Sequence, residues 1–167
     1  MTTTTRKVIV NKNVANRKIT VEREFDAPVQ DVWKAWTEKE LLDQWWAPKP
    51  YKAKTKSLDF REGGHWMYAM VGPDGDESWV WVNFFKVVPN KSFTAEDFFC
   101  NEKGERAHEL PGMFWNNQFS PTGSGTKVIC ELTFASEDDL NKILELGFEP
   151  GFTAALSNLD ELLEDNK

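Results

Sequence analysis

The sequence predicts an α+β fold in which an antiparallel meander of about seven strands precedes a long helical C-terminal stretch. The first observation behind this prediction is the alternation of apolar and polar residues near the N-terminus and through the middle of the chain. The second is a pair of short segments after the first strand whose apolar residues have helical spacing. The third is an apolar stripe at helical spacing from residue 136 almost to the end of the chain.

The first predicted strand, Ile19–Phe25, alternates apolar with polar residues, although Arg23 falls on its apolar side. Asp26 is then a candidate N-cap, and Pro28 suits the first turn of the helix that follows. A capping-box pattern that starts at Thr37 predicts a second helix. We therefore expect two short helices between the first strand and the remaining strands.

Six further strands are predicted in the middle of the chain, separated by turns rich in Gly, Pro, Asn and Asp. They are 52–60, His65–Val71, Ser78–Val88, Phe93–Cys100, Met113–Ser120 and Thr126–Phe134. The second and third of these are apolar on both faces, whereas an antiparallel sheet usually presents one face to water. One face must therefore meet the helical stretch, and the other thickens the core, lines a cavity or meets a partner.

The helical stretch begins at a predicted N-cap, Ser136, and its apolar stripe is interrupted by Gly147, Pro150 and Gly151. Glycine destabilises a helix interior, and proline cannot donate the hydrogen bond that continues a helix. We therefore predict a break or kink at these residues, with the second helical segment longer than the first.

The length of 167 residues suits one domain, and we expect a lead-in over residues 1–16 and a domain over residues 17–167. The formal net charge is -7, so the chain lacks the basic excess with which proteins bind nucleic-acid phosphates. No apolar run is long enough for a signal peptide or a membrane span. The two cysteines, Cys100 and Cys130, are too few for a disulfide framework, and we expect a cytoplasmic protein.

Motifs for catalysis or metal binding are weak in this sequence. Its two histidines, His65 and His108, have no partner at metal-ligand spacing, and its glycine pairs lie in predicted hairpin turns rather than phosphate loops. The outlying feature of the composition is its 8 Trp, 2 Tyr and 12 Phe. We therefore expect no catalytic residues, no metal and no cofactor, and we favour a binding role over an enzymatic one.

Six strings stand out between residues 17 and 165: Asp26–Val29, Leu41–Pro48, Leu58–Gly64, Gly72–Gly75, Val87–Asn90 and Leu146–Glu149. Together they resemble the activator-of-heat-shock-protein-90-ATPase family (AHSA-type) of the START/SRPBCC superfamily, which also contains the birch-pollen allergens. The paired Trp45 and Trp46, with Pro48 two residues on, form the most specific string. The sequence departs from the family pattern at Lys39 and Pro150, and its segment 105–112 is drawn out.

The resemblance implies a helix-grip fold, in which a curved antiparallel sheet wraps around a long C-terminal helix and two short helices close one end. It also implies an apolar cavity between sheet and helix, which the superfamily uses for lipids, sterols, hormones and polyketides and occasionally for cyclase or hydrolase chemistry. One branch of the family docks on the 90-kDa heat-shock chaperone and stimulates its ATPase, which would link the protein to the stress response. A fold does not choose among these functions.

Three hypotheses about function follow. The first is non-enzymatic binding of an apolar or aromatic, lipid-like small molecule, because aromatic rings offer large contact areas with few rotatable bonds. The candidate lining residues are Trp46, Trp66, Tyr68, Trp79, Trp81, Met113, Trp115 and Phe152. The second is a protein-interaction module, either a chaperone partner or a homodimer that uses the outer apolar face of Trp79–Val88. The third is a cyclase- or hydrolase-like enzyme with His65 or His108 as general base.

Chaperone activation is the less favoured form of the second hypothesis. The co-chaperone branch of the family carries an additional N-terminal domain, and few residues precede the first predicted strand here.

Overall fold

An eight-stranded antiparallel sheet and four helices form the structure, a computed structural model that describes residues 8–165. The elements in chain order are β1 (Ile9–Asn13), β2 (Lys18–Phe25), α1 (Val29–Thr37), α2 (Lys39–Trp45), β3 (Lys52–Asp59), β4 (His65–Val71), β5 (Glu77–Val88), β6 (Ser92–Cys100), β7 (Met113–Pro121), β8 (Thr126–Thr133), α3 (Glu137–Glu145) and α4 (Phe148–Asp165). This architecture confirms the predicted α+β, helix-grip-like fold.

The sheet has the strand order β1-β2-β8-β7-β6-β5-β4-β3, and every neighbouring pair is antiparallel. Strands β3 to β8 form the predicted meander, and β2 closes against β8. The strand count is one higher than predicted because β1 lies within the segment 1–16 that we expected to be a lead-in. This strand lies at the edge of the sheet and pairs with β2 from Ile9 onward. Its apolar residues are not buried in alternation, since Ile9 itself is 49% exposed, and so the strand lacks the pattern by which buried strands are recognised. The rest of that lead-in, residues 1–7, lies outside the described residues.

The two short helices occupy the predicted positions, now after the second strand, but their caps differ from the prediction. Pro28 rather than Asp26 is the N-cap of α1, and no side-chain hydrogen bond caps this helix. Thr37 is the last residue of α1, and its hydroxyl donates to the carbonyl oxygen of Trp33 at 2.8 Å. Because the hydroxyl is engaged there, the predicted capping box does not form, and α2 begins after Glu38.

The C-terminal helices are broken where the sequence predicted. The Ser136 hydroxyl accepts a hydrogen bond from the backbone N–H of Asp139 at 3.1 Å and so caps α3. Gly147 separates the helices with a φ of +90°, a left-handed conformation that suits glycine. Pro150 lies in the first turn of α4, where its missing N–H is not needed. Within residues 8–165, no helix combines the length and apolarity that crossing a bilayer requires.

Strand β5 shows how both of its apolar faces are used. Val80, Val82 and Phe84 are buried in the core that lies between the sheet and the helices. Trp81 lies on the other face, where the loop that follows β6 covers it. A Cβ atom on Gly104 of that loop would lie 3.2 Å from the Trp81 ring, so the loop backbone packs closely on the indole.

An ion pair joins the apolar face of β2 to the long helix. Arg23, which the sequence places on the apolar side of the strand, is 4% exposed. Its guanidinium donates two hydrogen bonds to the carboxylate of Asp160 in α4 and one to the carbonyl oxygen of Glu24. The polar residue that breaks the strand pattern therefore fixes α4 against the sheet.

Candidate functional site

A cavity of about 270 Å³ lies between the inward face of the sheet and the junction of α3 with α4. Strands β4 to β7 form one wall, and Ile143, Phe148 and Phe152 belong to the helical wall. Leu146, at the junction, lines the cavity and is 52% exposed, so the cavity reaches the surface at this point. Apolar groups make up most of the lining, as in sites that bind small molecules.

The structure brings five of the eight predicted lining residues to this cavity: Trp46, Tyr68, Met113, Trp115 and Phe152. Trp66 lies on the same face of β4 but behind Tyr68, against which it stacks with ring centroids 4.1 Å apart. It lines a second internal cavity of about 30 Å³ instead.

Trp79 and Trp81 do not line the cavity, which corrects the sequence-based expectation. Successive side chains of a strand point to opposite faces, and Val80 and Val82 are the inward residues of β5. On the outer face, the ammonium of Lys56 lies 5.7 Å from the ring centroid of Trp79. Alternation alone could not tell which of the two apolar faces was inside.

A cluster of rings fills the space between the cavity and the two short helices. Trp46 follows α2 and contacts Trp36 and Trp66 with ring centroids 5.8 Å and 5.4 Å away. It also contacts Trp115 and Phe152 at 5.9 Å and 6.0 Å. The aromatic residues thus fill one end of the space between the sheet and the helices and line an open volume at the other end.

Two buried polar side chains on the inward face of the sheet, Tyr68 and Asp97, interrupt the apolar lining. The hydroxyl oxygen of Tyr68 accepts a hydrogen bond from Trp46 Nε1 at 2.8 Å. Burial raises the pKa of Tyr68, so the hydroxyl keeps its proton and can donate a hydrogen bond to a ligand. The carboxylate of Asp97 accepts a hydrogen bond from Trp115 Nε1 at 3.0 Å.

Asp97 is the site residue that sequence reasoning missed. It lies on β6 in phase with Phe93 and Ala95, so an acidic side chain occupies the inward, apolar face of a strand. Burial raises the pKa of Asp97 from 3.8 to about 7, against the lowering effect of the hydrogen bond from Trp115. The signal was present in the sequence as an Asp in the apolar phase, which rarely occurs without a partner.

Further polar groups lie behind Asp97. The side chain of Asp97 also lines the small cavity of about 30 Å³, together with Trp36 and Asn117. Trp36 Nε1 and Asn117 Oδ1 are buried without a hydrogen-bond partner. Such a volume is large enough for one or two water molecules.

Neither histidine contributes to the cavity. His65 lies on the outer side of β4, where its ring stacks on Trp81 at 4.7 Å and its Nε2 is 2.8 Å from the Ser57 hydroxyl. His108 is exposed in the loop between β6 and β7. Throughout the described chain, no three His, Cys, Asp or Glu side chains are grouped as metal ligands.

Comparison with known proteins identifies relatives of the whole fold. Residues 26–164 match the family described as activator of Hsp90 ATPase homolog 1-like protein, while no curated protein sequence matches the chain. A protein from Arthrobacter aurescens has a similar solution structure, with 30% identity, a TM-score of 0.89 and coverage of 94% of this chain and 91% of that one. A crystal structure from Mycobacterium smegmatis gives 28% identity, a TM-score of 0.87 and coverage of 94% and 97%. A solution structure from Staphylococcus epidermidis has 27% identity and a TM-score of 0.82, and the match covers 95% of this chain and 94% of that one.

Proposed function

Because this chain belongs to the activator of Hsp90 ATPase homolog 1-like family, whose fold suits ligand binding or a co-chaperone-like role, we propose that it binds a small apolar or aromatic molecule in the cavity between the sheet and the C-terminal helices. The observation that carries the proposal is the cavity of about 270 Å³, with its aromatic lining and few polar groups. Both cysteines are free thiols, which suits the reducing cytoplasm in which we expect the protein to act.

The volume of the cavity limits the size of the ligand. An engineered cavity of about 150 Å³ binds benzene, so the cavity of about 270 Å³ suits one or two fused rings, or one ring with a short chain. A sterol or a long acyl chain needs a larger space. Among the ligands that the family resemblance implied, the proposal therefore favours small aromatic molecules over lipids.

Filling the cavity is expected to weaken this binding. Val80→Phe enlarges a buried lining side chain and should weaken binding of a one- or two-ring aromatic probe such as naphthalene by about tenfold or more, since the probe loses its space. The measurement is a titration by isothermal calorimetry. Val88→Phe is the matched control, because it makes the same substitution on the same strand at a position that is 45% exposed. Equal affinities for the two variants would contradict the proposed site.

Ligand binding is also expected to change the emission of particular tryptophans. Trp115 lines the cavity and Trp79 lies on the other face of the sheet. An aromatic ligand should therefore change the intrinsic fluorescence much less in Trp115→Phe than in the unmodified protein, whereas Trp79→Phe should keep the full change. If Trp79→Phe lost the response and Trp115→Phe kept it, the ligand would bind on the outer face.

The protein-interaction hypothesis has weaker support, because the apolar surface exposed on the outer face is small. Phe85 and Phe114 stack on the outer face with centroids 5.9 Å apart and are 43% and 40% exposed. Two rings exposed to this extent offer on the order of 150 Å² of apolar surface. A stable interface buries roughly 800 Å² on each partner, so we place chaperone docking and homodimer formation second. An enzyme with a histidine base comes third, since both imidazoles lie outside the cavity.

A further inference from the structure

The carboxyl group of Asp97 restricts which chemical class of ligand the cavity can bind, whereas the cavity volume restricts the size of the ligand. Asp97 is 8% exposed and lines the cavity. Its hydrogen-bond donors, Trp115 Nε1 and the backbone N–H of Met113, are neutral. An Asp in such a position needs a compensating partner, because transfer of an unpaired carboxylate from water to an apolar interior is strongly unfavourable.

Residues 8–165 supply no cation that lines the cavity or pairs with this carboxylate. No Lys, Arg or His is among the residues that line the cavity. Among the ion pairs found within residues 8–165, none includes Asp97. A negative ligand would therefore meet a second negative charge and no counter-charge, whereas a positive ligand would complete a buried ion pair.

The charges around Asp97 do not change this conclusion. The charge of Glu96, its neighbour on β6, acts on Asp97 and raises its pKa, while Asp97 in turn raises the pKa of the neutral Tyr68 hydroxyl. Asp97 also borders a surface groove between the β6–β7 loop and α3. The ionisable residues of that groove are Glu96, Arg106, His108, Glu109, Asp138, Asp139 and Lys142. Acidic groups outnumber basic ones there, and the whole chain has a net charge of -7, so the surroundings attract a cation.

We propose that the ligand is an amine, with an apolar body of one or two rings and a single ammonium group that donates a hydrogen bond to the carboxylate of Asp97. This inference rests on the proposed function and names the ligand class of the same cavity. The rings of Trp115, Phe148 and Phe152 line the cavity beside Asp97, and their faces attract a cation as well. The hydroxyl of Tyr68, whose oxygen already accepts from Trp46, orients any second polar group.

Three probes that share a phenyl ring on a four-carbon chain and differ in the polar group at its end test the inference: 4-phenylbutylamine, 4-phenylbutan-1-ol and 4-phenylbutyrate. Calorimetric titrations at pH 8 are expected to show that the amine binds about tenfold or more tightly than the alcohol, because a hydrogen bond between charged groups is stronger than one with a neutral donor. The carboxylate should bind weakest of the three.

Asp97→Asn is expected to remove the preference for the amine while the affinity for the alcohol stays within about threefold, because Asn keeps the size and the acceptor oxygen but not the charge. Glu96→Gln is the matched control. It removes an acidic group from the neighbouring residue, on the opposite face of β6, and should reduce the preference far less than Asp97→Asn does, because Glu96 does not line the cavity.

Each outcome decides the inference. If the alcohol or the carboxylate binds as tightly as the amine, the amine inference is wrong while the proposed function stands. If none of the three probes binds, both are wrong. Should Asp97→Asn fail to fold, as judged by circular dichroism, the order of the three affinities in the unmodified protein still decides between these outcomes.

Discussion

Asp160→Ala is expected to lower the free energy of unfolding by about 3 kcal/mol, because it leaves the buried guanidinium of Arg23 without its carboxylate partner. Arg23 is 4% exposed, and its Nε already lacks a hydrogen-bond partner. The Asp160 side chain is 39% exposed, so water can reach the vacated position. For that reason we expect a loss at the lower end of the range for broken buried ion pairs. Urea denaturation followed by circular dichroism measures the change.

The neighbouring residue provides the control for this prediction. Glu161 pairs with Lys49 at 2.9 Å, but both side chains are about two-thirds exposed, at 66% and 68%. Exposed ion pairs contribute about 0–1 kcal/mol, so Glu161→Ala should leave the free energy of unfolding almost unchanged. Similar losses for the two substitutions would mean that the pair of Arg23 with Asp160 does not hold α4 against the sheet.

Asp97→Asn is expected to stabilise the protein without ligand at pH 8 by on the order of 4 kcal/mol, and hardly at all near pH 4. The pKa of Asp97 is raised from 3.8 to about 7 in the folded chain. At pH 4 the folded protein carries Asp97 as a neutral acid, which Asn resembles. Between pH 4 and pH 7 the unfolded chain loses this proton more readily than the folded chain, so the folded state loses stability as the pH rises. Asn does not ionise, so the variant does not undergo this loss of stability over the same pH range.

The measurement compares urea denaturation of the two proteins at several pH values from 4 to 8. Because the other ionisable groups are shared, the difference in unfolding free energy between variant and unmodified protein isolates Asp97. Asp74→Asn, in the exposed hairpin between β4 and β5, is the control and should change the free energy of unfolding by less than about 0.5 kcal/mol, as substitutions on the surface usually do. A difference that stays constant from pH 4 to pH 8 would show that the carboxyl of Asp97 is not perturbed by burial.

The two predictions concern polar residues that the pattern of apolar alternation treats alike. Arg23 and Asp97 both stand in the apolar phase of a strand. In the folded chain, Arg23 meets the carboxylate of Asp160 and serves stability. Asp97 meets neutral donors inside the protein, the indole N–H of Trp115 and the backbone of Met113, and so remains available to a charged ligand. The sequence marks both positions as unusual, but the partner that distinguishes them comes from a distant segment.

Local patterns were enough to predict most of the elements. The strand His65–Val71 has the predicted bounds, and the cap at Ser136 and the break at Gly147 occur where expected. These features depend on neighbours a few residues away, through alternation, capping and backbone conformation. Strand β1 was missed because an exposed edge strand buries few side chains and so leaves little periodicity to detect.

The sequence alone determined the order of the elements, the antiparallel meander, the helix break and the family resemblance, since each depends on residues close together in the chain. Tertiary structure decided which face of each doubly apolar strand points inward. Alternation separates Trp79 and Trp81 from Val80 and Val82, but only packing against the helices selects the valines for the core. The cavity was decided in the same way, because its volume is the space left once Trp46 and its neighbouring rings pack against the short helices.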